Sequence, residues 1–82
     1  MWKYTVEVRG MTCAMCESHV NDAVRRALRV KSVRSSRAKN ETVVLAEQAL
    51  DEAALRDAIA ATGYEVGGVT RQQAQKGLFG WR

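Results

Sequence analysis

With 82 residues the chain has room for one domain with a modest hydrophobic core, and a large catalytic cleft is not expected. No stretch approaches the roughly 20 consecutive apolar residues of a membrane helix, and the N-terminal residues alternate polar and apolar where a secretory signal would run basic, apolar, then small, so the expected location is cytoplasmic, without membrane insertion. Thirteen Lys and Arg against nine Asp and Glu leave a net charge of +4, and the excess is concentrated: Arg25, Arg26, Arg29, Lys31, Arg34, Arg37 and Lys39 follow one another with no acid between them. That run is either a solvated basic face or, through Arg25, Arg26, Arg29 and Lys31, a docking surface for an acidic partner. It contains no aromatic residue to stack on bases, so nucleic acid is not an expected partner.

In chain order, residues 3–9 place Tyr4, Val6 and Val8 on one side and Lys3, Thr5, Glu7 and Arg9 on the other, the alternation of a half-buried strand that Gly10 ends. From Cys16 onward Val20, Ala23, Val24, Ala27 and Leu28 recur at helical spacing and predict an amphipathic helix. Residues 30–38 and 41–47 read as a hairpin about Lys39-Asn40, since Asn tolerates the left-handed backbone of a tight turn. The first of these strands is polar and basic and is expected at a sheet edge. Asp51 is a ready N-cap, with Leu50 able to staple onto Leu55, for a second helix that buries Leu55, Ala58, Ile59 and Thr62 and stops at Gly63. Residues 64–69 supply a last strand. The order β-α-β-β-α-β predicts a ferredoxin-like α+β sandwich, a four-stranded antiparallel sheet with both helices on one face. Residues 1–71 form the domain and 72–82 a C-terminal tail, whose GLFGWR ending is either unpinned or an apolar hook.

Chemistry concentrates in Gly10-Met11-Thr12-Cys13-Ala14-Met15-Cys16, between the first strand and the first helix. A disulfide across so short a loop constrains the unfolded chain little, and in a reducing compartment such a pair is more often metal-binding or catalytic. Cys16 falls in the first helical turn, where unpaired N–H groups and the helix dipole favour a thiolate. Two thiolates converging with no oxygen ligand nearby suit a soft ion of low coordination number, copper(I) first, with silver(I) and mercury(II) as surrogates. A closed zinc site wants four protein ligands, and the chain has two Cys and one His, so zinc is the weaker candidate. His19, three residues after Cys16, is a candidate third ligand that would favour zinc, cobalt or trigonal copper; its alternative is a solvent-facing side chain.

These residues resemble the heavy-metal-associated domains of copper chaperones and of the N-terminal regions of copper-transporting P-type ATPases. The resemblance rests on GMTCAMC, on the spacing through Val20 and Ala23 to Leu28, and on Gly63-Tyr64-Glu65-Val66, and it runs from about residue 3 to about residue 69. It implies the same fold, copper(I) held by Cys13 and Cys16, and transfer by thiolate exchange to an ATPase or another cysteine-bearing acceptor. It also implies that Met11 packs beneath the loop as core; Met15 lies where the family varies, and an exposed, non-ligating side chain is expected there, the alternative being a thioether that reaches the soft metal. Thr12 is expected beside the sulfurs, and the resemblance implies that Tyr64 faces the metal loop, its ring shielding the ion; the alternative for Tyr64 is an ordinary tyrosine at the edge of the core. His19 and the polar Ser35-Ser36 run depart from the family pattern.

Three functions of different classes remain. The first is a non-enzymatic metal carrier, monomeric or bridged into a dimer by a shared metal. The second is a thiol-disulfide redox protein of thioredoxin type, which the absence of any proline and the strand order disfavour. The third is a regulatory module in which metal binding alters the contacts of the tail.

Overall fold

A computed structural model describes residues 1–73. The elements are β1 (Trp2–Arg9), α1 (Ala14–Ala27), β2 (Ser32–Ser36), β3 (Glu41–Ala46), α2 (Glu52–Ala60) and β4 (Glu65–Gln73). All pairings are antiparallel and the sheet order is β2-β3-β1-β4, so the predicted sandwich is the observed one and the basic β2 lies at an edge. The described GLFGWR expectations concern residues outside 1–73.

Alternation along β1 buries Tyr4, Val6 and Val8 completely. Val20 and Val24 of α1 and Leu55 and Ile59 of α2 join the same cluster, which places both helices on the face to which those three residues point. Removing such side chains from water, at roughly 25 cal/mol per Å² of apolar surface, is the main force holding the layers together. The Tyr4 hydroxyl reaches the loop before α2, accepting from the Leu50 N–H at 2.7 Å, so its polar end is satisfied inside the core. Asp51 caps α2 as expected, its carboxylate accepting from the N–H groups of Ala53 at 2.9 Å and Ala54 at 3.4 Å. Asn40 takes the left-handed conformation at φ 55 and closes the hairpin.

Four boundaries differ from the expectation. Ala27 is exposed, because α1 ends there and Leu28 turns extended. β2 covers only Ser32–Ser36; Val30 lies before it, and Ala38 is exposed in a turn that occupies residues 37–40. Thr62 lies beyond α2 and Tyr64 precedes β4. β4 itself continues to Gln73, since Gln72 and Gln73 pair with Lys3 and Trp2 through the backbone, a contact indifferent to hydropathy.

Strand directions sort the loops into two ends. The β1–α1 loop, the hairpin turn and the α2–β4 loop share one end, where Val8 N–H bonds the Asn40 carbonyl and Arg9 pairs with Glu65 across the sheet. The α1–β2 and β3–α2 loops share the other. Among the described residues no helix is long and apolar enough to cross a membrane.

Candidate metal centre

Gly10 opens the loop with φ +102, and a Cβ there would stand 3.3 Å from Tyr64 Cδ1, so backbone and ring both require the smallest residue. One position on, Met11 is only 5% exposed and belongs to the core, which anchors the loop from beneath. Cys13 then adopts extended geometry as the N-cap of α1, φ −154 and ψ 171. Its side chain does no capping. Its carbonyl accepts from the N–H groups of Cys16 at 3.1 Å and Glu17 at 3.3 Å, starting the helix and placing Cys16 in its first turn.

This corner brings the two sulfurs within 3.2 Å of each other, with Thr12 Oγ1 3.9 Å from Cys16 Sγ. Both thiols are free; Cys13 is exposed and Cys16 half-buried. Cys16 titrates well below its ordinary value of 9.0, at about 6, chiefly because the Tyr64 hydroxyl hydrogen-bonds to the thiolate, and next because the Thr12 backbone and the Cys13 thiol do so. The same bond holds the Tyr64 phenol above its ordinary value. At neutral pH Cys16 is therefore mostly thiolate, the form that binds metal and attacks sulfur. Met15, between the two, is 69% exposed.

The structure assembles Cys13, Cys16, Thr12 and Tyr64, with Met11 below, and leaves the other candidates apart. Three residues of helix turn through about 300°, so His19 sits about 60° round the axis and nearly one turn along from Cys16, where it borders the groove against α2. It is exposed, and Asp22, Arg26, Ala58 and Thr62 line the same groove. Among the described residues no three His, Cys, Asp or Glu side chains gather to hold a metal, and His19 is not brought together with the two cysteines. Arg25 and Arg26 occupy the last turn of α1, and Arg29 and Lys31 border a groove at the other end of the domain. Ten residues of helix separate Cys16 from Arg26, about 15 Å along the axis. The expected docking residues do not surround the sulfurs.

Charges at the cysteine end are instead paired. Glu17 accepts from the Arg37 backbone N–H at 2.7 Å and meets its guanidinium at 3.5 Å, tying the hairpin turn to α1 beside Cys16. Arg9 bridges Glu7 at 2.9 Å and Glu65 at 3.6 Å. The Glu17–Arg37 contact spans 20 positions and carries no local sequence signal.

Comparison with known proteins returns the same picture. The chain matches CopZ metallochaperone at 26% identity with TM-score 0.73, covering 79% of this chain and 98% of that one. It matches a copper-binding domain from HMA7, a P-type ATPase, at 28% identity with TM-score 0.72, covering 82% and 92%. The N-terminal domain of ZntA in its apo form aligns at 32% identity with TM-score 0.69, covering 88% and 93%. The family model described as heavy-metal-associated domain matches residues 5–65, a span that holds the strand, the cysteine corner and the Tyr64 loop together, and the chain belongs to that family.

Proposed function

We propose that the domain carries a single copper(I) ion between Cys13 and Cys16 and passes it to a cysteine-bearing acceptor, such as the metal-binding domain of a P-type ATPase. The observation that carries this reading is the pair of sulfurs 3.2 Å apart, Cys13 exposed and Cys16 half-buried and a thiolate near neutral pH, with no third protein ligand gathered among the described residues. A site with only two soft donors favours copper(I) over zinc, which wants four ligands in a closed site. The similarity to CopZ metallochaperone and to the HMA7 copper-binding domain supports both the cargo and the acceptor class. Cys13 is exposed at the helix cap, so an incoming thiolate can reach the ion while Cys16 still holds it. Transfer then runs through shared thiolate coordination without releasing the ion to water.

The test is anaerobic titration with copper(I) and with zinc under chelator competition, on the parent chain, on the double variant Cys13→Ser, Cys16→Ser, and on His19→Ala. One copper(I) per chain, lost in the double variant and unchanged in His19→Ala, is the expected result. Zinc retained more tightly than copper(I), or copper retained without the cysteines, would overturn the reading.

The same sulfur separation and lowered Cys16 value favour one competitor, a thiol-disulfide redox protein. Catalytic reduction of insulin disulfides together with failure to hold copper(I) would select it.

A further inference from the structure

Six cationic side chains of the described residues collect at the end of the domain opposite the cysteine corner. Arg25 and Arg26 close α1, Arg29 and Lys31 follow in the next loop, Lys3 lies at the start of β1 and Arg71 near the end of β4. Acids are present there too, namely Asp22, Glu47, Asp51 and Glu52, so six cations face four acids. Asp22 pairs with Arg25 at 3.7 Å, Glu47 with Lys31 at 3.7 Å, and Asp51 caps α2. Arg71 stacks 4.8 Å above the Trp2 ring, an arrangement that keeps its charge uncompensated. At the cysteine end, by contrast, Arg9, Arg37 and Lys39 are outnumbered by Glu7, Glu17, Glu41 and Glu65.

We propose that this basic end is an electrostatic docking surface for the anionic phospholipid headgroups of a bilayer, holding the domain on the membrane surface with Cys13 and Cys16 facing the water. Three observations favour headgroups over a protein or a nucleic acid. The cations come from three separate segments and spread over one end of the domain, a layout suited to a diffuse charged plane. Protein interfaces depend on a few buried apolar or aromatic anchors, and the large hydrophobic residue most exposed among those described, Met15 at 69%, is at the wrong end. Nucleic-acid grooves interleave cations with exposed aromatic platforms, and among the described residues the aromatics at this end are the buried Tyr4 and Trp2, partly buried beneath Arg71. Headgroup attraction needs none of these, since each Lys or Arg near an anionic surface adds about fivefold to binding, within a Debye length. The inference is independent of which metal the cysteines carry.

Sedimentation with vesicles of neutral phosphatidylcholine, and of phosphatidylcholine with one-third phosphatidylserine, tests it at low and physiological salt. The parent chain is expected to bind only the anionic vesicles, and less so as salt rises. The triple variant Arg26→Gln, Arg29→Gln, Lys31→Gln is expected to bind about 100-fold more weakly. A matched triple, Arg34→Gln, Lys39→Gln, Arg56→Gln, removes the same charge from elsewhere and is expected to stay within about fivefold of the parent; circular dichroism checks that both variants fold. Equal losses in the two triples would reduce the effect to net charge and overturn the proposal. So would absence of binding to anionic vesicles at low salt, or binding by the same basic end to duplex DNA or an acidic peptide but not to vesicles.

Discussion

Tyr64 governs the charge of Cys16 through one hydroxyl. Because that hydrogen bond is the largest cause of the lowered value near 6, Tyr64→Phe is expected to move Cys16 upward toward its ordinary 9.0. The thiolate absorbance near 240 nm, followed against pH, reads this directly, and alkylation at pH 7 slows in step. The sign for stability follows from the same shift. A depressed folded value stabilises the fold fully above the unfolded value, and that contribution fades as pH falls through about 6. Metal affinity weakens over the same descent, as protons compete for the sulfur. Gly10 is the second residue with a single-atom argument: Gly10→Ala forces a Cβ onto a backbone at φ +102 and against the Tyr64 ring. A loss of about 1–3 kcal/mol in urea unfolding is expected.

At the scale of elements, polar side chains explain what hydropathy misplaced. Ser35 of β2 donates to Asn21 Oδ1 on α1 at 2.7 Å, which leaves its oxygen to accept from the fully buried Thr42 hydroxyl of β3 at 2.9 Å. The chain therefore replaces an apolar contact between α1 and the hairpin with a short hydrogen-bonded relay. Ser35→Ala strands the Thr42 hydroxyl and is expected to cost about 1–3 kcal/mol, whereas adding Thr42→Val removes the stranded group and recovers part of that loss. Equal destabilisation in the single and double variants, measured by urea unfolding, would contradict the relay. This relay is also why β2 was poorly legible: hydropathy ranks Ser35 as surface, while its hydrogen bonds bring it inward. β1, α1 and the Asp51 cap were legible because each is written in adjacent residues, as alternation, as a stripe or as a capping carboxylate. The cysteine pair was legible for the same reason, being local. Glu17 meeting Arg37, and His19 bordering the groove against α2, depend on how separate elements pack, and no short window of sequence contains that.

For the whole molecule, the cysteine corner rests on the core without burying its sulfurs there, Cys16 packing against it only in part. Neither sulfur belongs to the set of fully buried side chains, so Cys13→Ser with Cys16→Ser is expected to keep the fold and cooperative unfolding of the parent, losing only the part of the stability that the lowered Cys16 value supplies. The difference appears on adding the ion. A ligand at 1,000 times its Kd stabilises the folded state by about 4 kcal/mol, and in a domain of this size each kcal/mol raises Tm by roughly 4–8 °C. Scanning calorimetry should show that rise in the parent and none in the double variant. The loop between strand and helix also carries two thioethers in opposite situations, Met11 at 5% exposure and Met15 at 69%. In the double variant Cys13→Ser, Cys16→Ser, where no thiolate consumes the oxidant first, dilute peroxide should convert Met15 to its sulfoxide readily, whereas Met11 can react only when the floor of the loop lifts away from the core. The oxidation rate of Met11, followed by peptide mass spectrometry, thus serves as a built-in clock for how often this corner opens.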